Sequence, residues 1–226
     1  MAMQKEKRIS AADKQKAEAY NAKGLQHYQK WEIEEAIKSF EIAAKADDTN
    51  SEYRLNLART LVRSSDYEKA LRAIGEFIRL EKDQELVERF ERLFSNAMDG
   101  VERLITDKMA KTGIPLDEIG AAITMWLEFR IAAGRRRIPM RRPEAWAAAL
   151  DYTTRKVNVR DVTQKEIAEL YGVSEDTLRT YFNDLVETLD VMPCDYRYFR
   201  GKDNPLDKLV EAAAMLEKLE ERFHRP

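Results

Sequence analysis

The 226-residue chain sets 39 Lys and Arg against 41 Asp and Glu, and the resulting net charge of -2 excludes a uniformly basic nucleic-acid coat while leaving room for a local patch. Charged residues make up 35% of the sequence and only 8 Gly and 6 Pro punctuate it, which favours helix over a strand-and-turn architecture. A single cysteine, Cys194, rules out an intramolecular disulfide framework. His27 and His224 lie far apart with no cysteine beside them, so neither a metal nor another cofactor is expected.

In chain order, residues 1–16 carry few apolar anchors and are expected to form a flexible N-terminus merging into the first helix. No signal-peptide core occurs, and no apolar run approaches the roughly 20 residues needed to span a bilayer. A cytoplasmic protein without a membrane partner is the expectation.

From Ala17 the chain repeats itself. Residues 17–50 and 51–84 superpose with a period of 34, placing Gly24 on Ala58, Trp31 near Tyr67, Ala36 on Ala70, Phe40 on Ile74 and Ala43 on Phe77. Small residues in phase let paired helices cross closely. On these residues the stretch resembles tetratricopeptide repeats, although Lys23 and Asp48 stand where a leucine and a proline are usual. The resemblance implies stacked helical hairpins with a protein-binding concave face, whose outward positions on the first helices are Asn21, His27, Arg54, Leu57 and Leu61. Two repeats leave an apolar end uncovered, and residues 84–111 supply a candidate cover. They hold no proline, and Leu86, Phe90, Leu93, Phe94, Ala97, Val101, Leu104, Ile105 and Met109 form a continuous stripe, which predicts one long helix with a bend or break at Gly100.

Five helical patterns follow between about 100 and 190. Pro115 opens a helix with an inner face of Ile119, Ala122, Ile123, Trp126, Leu127 and Ile131 that stops at Gly134, and Pro143 opens another through Trp146, Ala147, Leu150 and Tyr152. Thr163 and Glu166 form a capping-box pattern, Gly172 marks a reversal, and Ser174 caps a helix carrying Leu178, Tyr181, Phe182, Leu185, Val186 and Leu189. That is a helix-turn-helix. The ordered stretches KTGIPLDEI, AAGRRRIPMRRPEAWAAALDYTTRK and TQKEIAELYGVSEDTLRTYFNDLVETLD resemble one cyclin-like repeat of transcription factor IIB and its archaeal counterpart. The resemblance implies a five-helix domain and contact with DNA or the transcription machinery. Such factors carry two tandem repeats and usually a zinc ribbon, whereas this chain has one repeat and no ligand set. The fold class expected is all-α: two-repeat tetratricopeptide hairpins (17–99 with the capping helix) joined by a long helix to a five-helix cyclin-like domain (100–190).

Residues 191–226 begin with a loop in which Tyr196, Tyr198 and Phe199 are expected to cover apolar surface and Cys194 to be packed. From Pro205 a last helix bears Leu206, Leu209, Ala213, Leu216, Leu219 and Phe223, a stripe that either folds back or pairs with a second copy.

Two sets of residues carry the functional expectations. Arg130, Arg135, Arg136, Arg137, Arg141 and Arg142, six arginines within 13 residues, suit phosphate or an acidic partner, against the plainer reading of a solvated loop balanced by acidic repeats. On the last helix of the helix-turn-helix, Arg179 and Asn183 are the candidate base readers, but five acids on that helix oppose a phosphate backbone. No catalytic fingerprint occurs, so the chain is expected to be a non-enzymatic adaptor, or alternatively a protein-binding scaffold without nucleic-acid contact.

Overall fold

The computed structural model describes residues 9–94, 98–211 and 213, and the chain is all-α, with no strand among the described residues. It divides into two compact units. The first lies within residues 1–96 and takes in Arg130–Arg137, and the second holds the described residues of 97–129 and 138–226. This differs from a boundary at residue 99 alone, because the arginine-rich turn belongs with the repeats.

The first unit comprises α1 (Ala11–Gln29), α2 (Ile33–Ala46), α3 (Ser51–Arg63), α4 (Tyr67–Leu80) and α5 (Gln84–Glu91), successive helices packing on one another. Helix α1 starts well before Ala17, correcting the expectation of a flexible stretch to residue 16. Its N-cap is Ser10, whose hydroxyl accepts from the Asp13 amide at 3.1 Å. The 34-residue period recurs in the backbone. Trp31 and Ser65 both sit at φ 60 in the hairpin turns. The Glu32 amide donates to the His27 carbonyl as the Asp66 amide does to that of Leu61.

The small residues do what the spacing implies. Gly24, Ala58, Ala36 and Ala70 are all buried, and a Cβ on Gly24 would lie 2.7 Å from the Phe40 ring. Helix α3 is the central helix of the unit, with Tyr53, Leu55, Asn56, Leu57, Ala58, Thr60, Leu61 and Val62 buried. Helix α5 closes the end of the repeats, Phe90 meeting Phe77 edge-on at 5.0 Å.

The long connecting helix is not formed. Helix α5 stops at Glu91, a 3-10 turn spans Arg92–Phe94, and the next helix begins at Gly100. Phe94, expected on the apolar stripe, is 48% exposed. The break comes from Asp99, whose carboxylate accepts the Glu102 amide at 2.8 Å while Glu102 accepts the Asp99 amide at 2.9 Å. This capping box starts a new helix and outcompetes continuation of the old one.

The second unit contains α6 (Gly100–Lys111), α7 (Leu116–Ala132, its last residues from Arg130 counting with the first unit), α8 (Pro143–Val157), α9 (Gln164–Tyr171) and α10 (Glu175–Leu189). Helix α8 is the axis and packs against α6, α9 and α10. Its alanines Ala145, Ala147, Ala148 and Ala149 are fully buried, the small side chains admitting close neighbours on several sides. An aromatic cluster fills the core: Phe129 and Tyr181 each approach the Trp146 ring with centroids 4.6 Å away, and Trp126 stacks on Phe129 at 5.7 Å. Met125 and Phe129 are buried in α7, where Ile123 and Leu127 were expected and are only half-buried.

The α9–α10 junction is built as its sequence implies. Thr163 and Glu166 form the capping box, Gly172 adopts φ 69 and ψ 35, and Ser174 accepts from the Thr177 amide at 3.2 Å. In the following loop Tyr198 is buried and Cys194 nearly so, as expected, but Tyr196 is 56% exposed and its hydroxyl donates to Asp207 at 2.8 Å. A phenol that finds a carboxylate at the surface gains a hydrogen bond that an apolar pocket would deny it. Residues 205–211 are helical, with Leu209 and Val210 exposed. Leu216, Leu219, Phe223 and His224 lie outside the described residues.

Candidate functional site

The arginine-rich turn is where chemistry concentrates. Gly134, at φ 56, turns the chain at the end of α7, and the Arg136 amide donates to the Ala133 carbonyl at 3.0 Å to close the next turn. Arg89 of α5 reaches this backbone, its guanidinium donating to the carbonyl of Arg136 at 2.6 Å and to that of Gly134. Burial pulls the Arg89 pKa below the ordinary arginine value, with the nearby Glu85 and Asp83 charges working against that.

Arg135 is held by three acceptors. Its Nε donates to Glu52 at 2.7 Å, and one terminal nitrogen donates to the Ser51 hydroxyl at 3.1 Å and to Glu81. Arg137 donates to Glu85 at 2.7 Å. The two glutamates around Arg135 differ. Glu52 has 41% of its side chain exposed, Glu81 only 7%. Burial disfavours the Glu81 anion, yet the amides of Asp83 and Lys82, the Arg135 guanidinium and the Ser51 hydroxyl outweigh it and hold the carboxyl down at about 2. The Arg137 pair is open, with side chains 85% and 72% exposed. Exposed pairs of this kind contribute about 0.2–1 kcal/mol each.

The six arginines therefore do not act as one set. Arg130, Arg135, Arg136 and Arg137 belong to the first unit and Arg141 and Arg142 to the second, where both are exposed. Arg179 is exposed and pairs with Asp176 at 3.1 Å, beside Glu175 at the acidic start of α10, and Asn183 is exposed on the same helix.

The expected concave positions need correction. Leu57 and Leu61 are not outward: they are 8% and 3% exposed, because α3 is enclosed rather than forming the wall of a groove. Arg54 turns to Glu76 of α4 at 3.0 Å. Asn21 accepts from the buried Asn56 at 3.1 Å, and His27 pairs with Glu32. At the outer end of the same helices, Arg63 lies over both Tyr28 and Trp31, 4.2 and 4.1 Å from the ring centroids. A cleft of about 520 Å³ beside α1 and α2, lined by Asp13, Lys16, Tyr20, Lys45 and Asp48 among others, mixes charges of both signs without converging donors.

Sequence reasoning passed over Ser51, Glu52, Glu81, Glu85 and Arg89. One signal was present: Glu81 stands 34 residues after Asp47, and both acids follow the second helix of their repeat and fold back on amides beyond it, Asp47 on that of Thr49 at 3.1 Å. The second unit also hides a buried polar network absent from the apolar pattern. Asp151, fully buried, accepts from Arg155 at 2.6 Å and from the Tyr171 hydroxyl at 3.1 Å. Burial raises its carboxyl above the ordinary aspartate value against the pull of Arg155. Glu128, also fully buried, accepts from Tyr198 at 2.6 Å. Among the described residues no group of three His, Cys, Asp or Glu is placed to hold a metal ion, and no helix is long and apolar enough to cross a membrane.

No family model matches the chain, and no solved structure matches it. Among curated proteins it is similar to the uncharacterized protein YccF of Bacillus subtilis, with 30% identity over 87 residues. That stretch is 38% of this chain and spans 24% of the length of YccF.

Proposed function

We propose that the chain is a non-enzymatic adaptor, in which a tetratricopeptide-like unit engages protein and an arginine-rich turn contacts phosphate or an acidic surface, next in sequence to a cyclin-like unit of the transcription factor IIB type. The observation that carries this reading is the grip on residues 134–137. The repeat unit holds a segment distant in sequence through arginine–carboxylate pairs and through Arg89 on main-chain carbonyls. Main-chain hydrogen bonds combined with side-chain anchors are a recurring way for a protein to hold a peptide segment. The five helices α6 to α10, three of them packed on α8, with the capped α9–α10 pair, support the cyclin-like reading.

A specific observation favours the second reading, a scaffold with no nucleic-acid contact. Arg135, Arg137 and Arg179 all have carboxylate partners within the chain, and the α10 tip carries Glu175 and Asp176. A titration on two unrelated DNA duplexes at several salt concentrations separates the two. The adaptor reading expects weak, sequence-independent binding. Arg135→Gln, Arg136→Gln and Arg137→Gln together should then flatten the slope of log affinity against log salt by about 0.9 for each phosphate no longer neutralised. No binding at low salt leaves the scaffold.

A further inference from the structure

The arginines that suit phosphate already hold carboxylates. This inference rests on the adaptor reading and concerns how its anion contact is regulated. We infer that the acidic edge formed by Ser51, Glu52, Glu81 and Glu85 is an intramolecular competitor for the phosphate backbone of duplex nucleic acid, and that binding proceeds by exchange of these carboxylates for phosphates at Arg135 and Arg137.

Three features make this edge a releasable latch rather than a fixed part of the core. The pairs are accessible, the Arg135 side chain being 42% exposed and that of Arg137 85%. Departure of Arg135 does not strand a buried charge either. Glu81, the only one of the three glutamates that is deeply placed, still accepts from the Lys82 amide at 2.8 Å, the Asp83 amide at 3.0 Å and the Ser51 hydroxyl at 3.0 Å. A buried carboxylate keeping three donors has no large penalty to oppose release. Finally, the turn has a second hold beside the ion pairs, since Arg89 also grips the carbonyls of Gly134 and Arg136. Opening therefore swings two long side chains off their carboxylates while Arg89 keeps the loosened turn on the repeat unit.

Closed, the edge also sets three acids beside the turn, and these repel an approaching phosphate. Removing them acts on both effects in the same direction. The test uses the full chain, a fluorescent DNA duplex and a polyglutamate peptide as a carboxylate polyanion. Glu52→Gln with Glu85→Gln should bind the duplex at least several-fold more tightly than wild type at the same salt, with a similar salt slope, because the same phosphates are neutralised in both complexes. A charge-matched control, Glu34→Gln with Glu68→Gln elsewhere in the first unit, should change the affinity little. Circular dichroism at the binding temperature verifies that each variant retains its helix.

Equal affinity for wild type and the Glu52/Glu85 variant, with binding still weakened and the salt slope flattened in Arg135→Gln/Arg137→Gln, overturns the latch and leaves the adaptor reading standing. An equal gain from the control overturns it also, reducing the effect to net charge. Binding of polyglutamate but not of duplex overturns phosphate as the ligand. If wild type and every variant fail to bind either polyanion at low salt, the adaptor reading falls and the latch with it.

Discussion

Gly24 shows how a single position dictates a crossing. A Cβ there would lie 2.7, 2.8 and 2.9 Å from three atoms of the Phe40 ring, and Phe40 is 1% exposed, so the ring has nowhere to move. Gly24→Ala is expected to destabilise the first unit by about 1–3 kcal/mol. Gly75 is the contrast: inside α4, a Cβ on it meets nothing within 4 Å, and Gly75→Ala is expected to stabilise by about 1 kcal/mol through helix propensity alone. Thermal unfolding of the two variants beside wild type reads both signs. At this scale the small positions were legible, because a period of 34 brings Gly24 onto Ala58 and Ala36 onto Ala70. Asp151 and Glu128 were not. An acid on a helix reads as solvent-facing unless its partner is known, and Tyr171 and Tyr198 lie 20 and 70 residues away from theirs.

Among the elements, the start of α6 is the instructive case. The apolar stripe runs through residues 86–109, and periodicity alone joins what the backbone separates. Asp99 decides the outcome. It closes the capping box with Glu102 and also accepts from the Trp126 indole at 2.8 Å, which ties the new helix to the aromatic core of its own unit. Asp99→Ala is expected to cost about 2 kcal/mol through removal of the cap and the hydrogen bond. At Gly100 an added Cβ would make only ordinary contact, 3.6 Å from Pro143, so Gly100→Ala should be neutral or stabilising by up to about 1 kcal/mol. Denaturant midpoints for the two variants check whether the cap or the glycine makes the break; a larger loss at Gly100 assigns it to the glycine. Where caps accompany periodicity, as at Thr163 and Ser174, the element was legible to the residue.

For the molecule as a whole, the assignment of residues 130–137 to the repeat unit was not visible in the sequence, since Glu52, Glu81 and Glu85 lie 83, 54 and 52 residues from their arginine partners. Glu81 gives the arrangement a pH signature. Its folded carboxyl is held at about 2 against an ordinary 4.5, so its contribution is complete above about pH 4.5 and is lost as pH falls toward 2. The stability difference between wild type and Glu81→Gln should accordingly be largest above pH 4.5 and shrink on acidification. A difference that stays constant down to about pH 2 contradicts the depressed carboxyl.

Hydrogen–deuterium exchange of residues 130–137 tests the central claim, that carboxylates of the repeat unit clasp the arginine turn. The amides of Gly134 and Arg136 are hydrogen-bonded within the turn and report on its opening. With Glu52, Glu81 and Glu85 all changed to glutamine, the missing ion pairs amount to about 1.4 kcal/mol and exchange there should quicken about tenfold. Exchange across α8 and α10 should stay at the wild-type rate. Unchanged exchange at residues 130–137 in that variant, with the repeat helices still folded, would contradict the clasp.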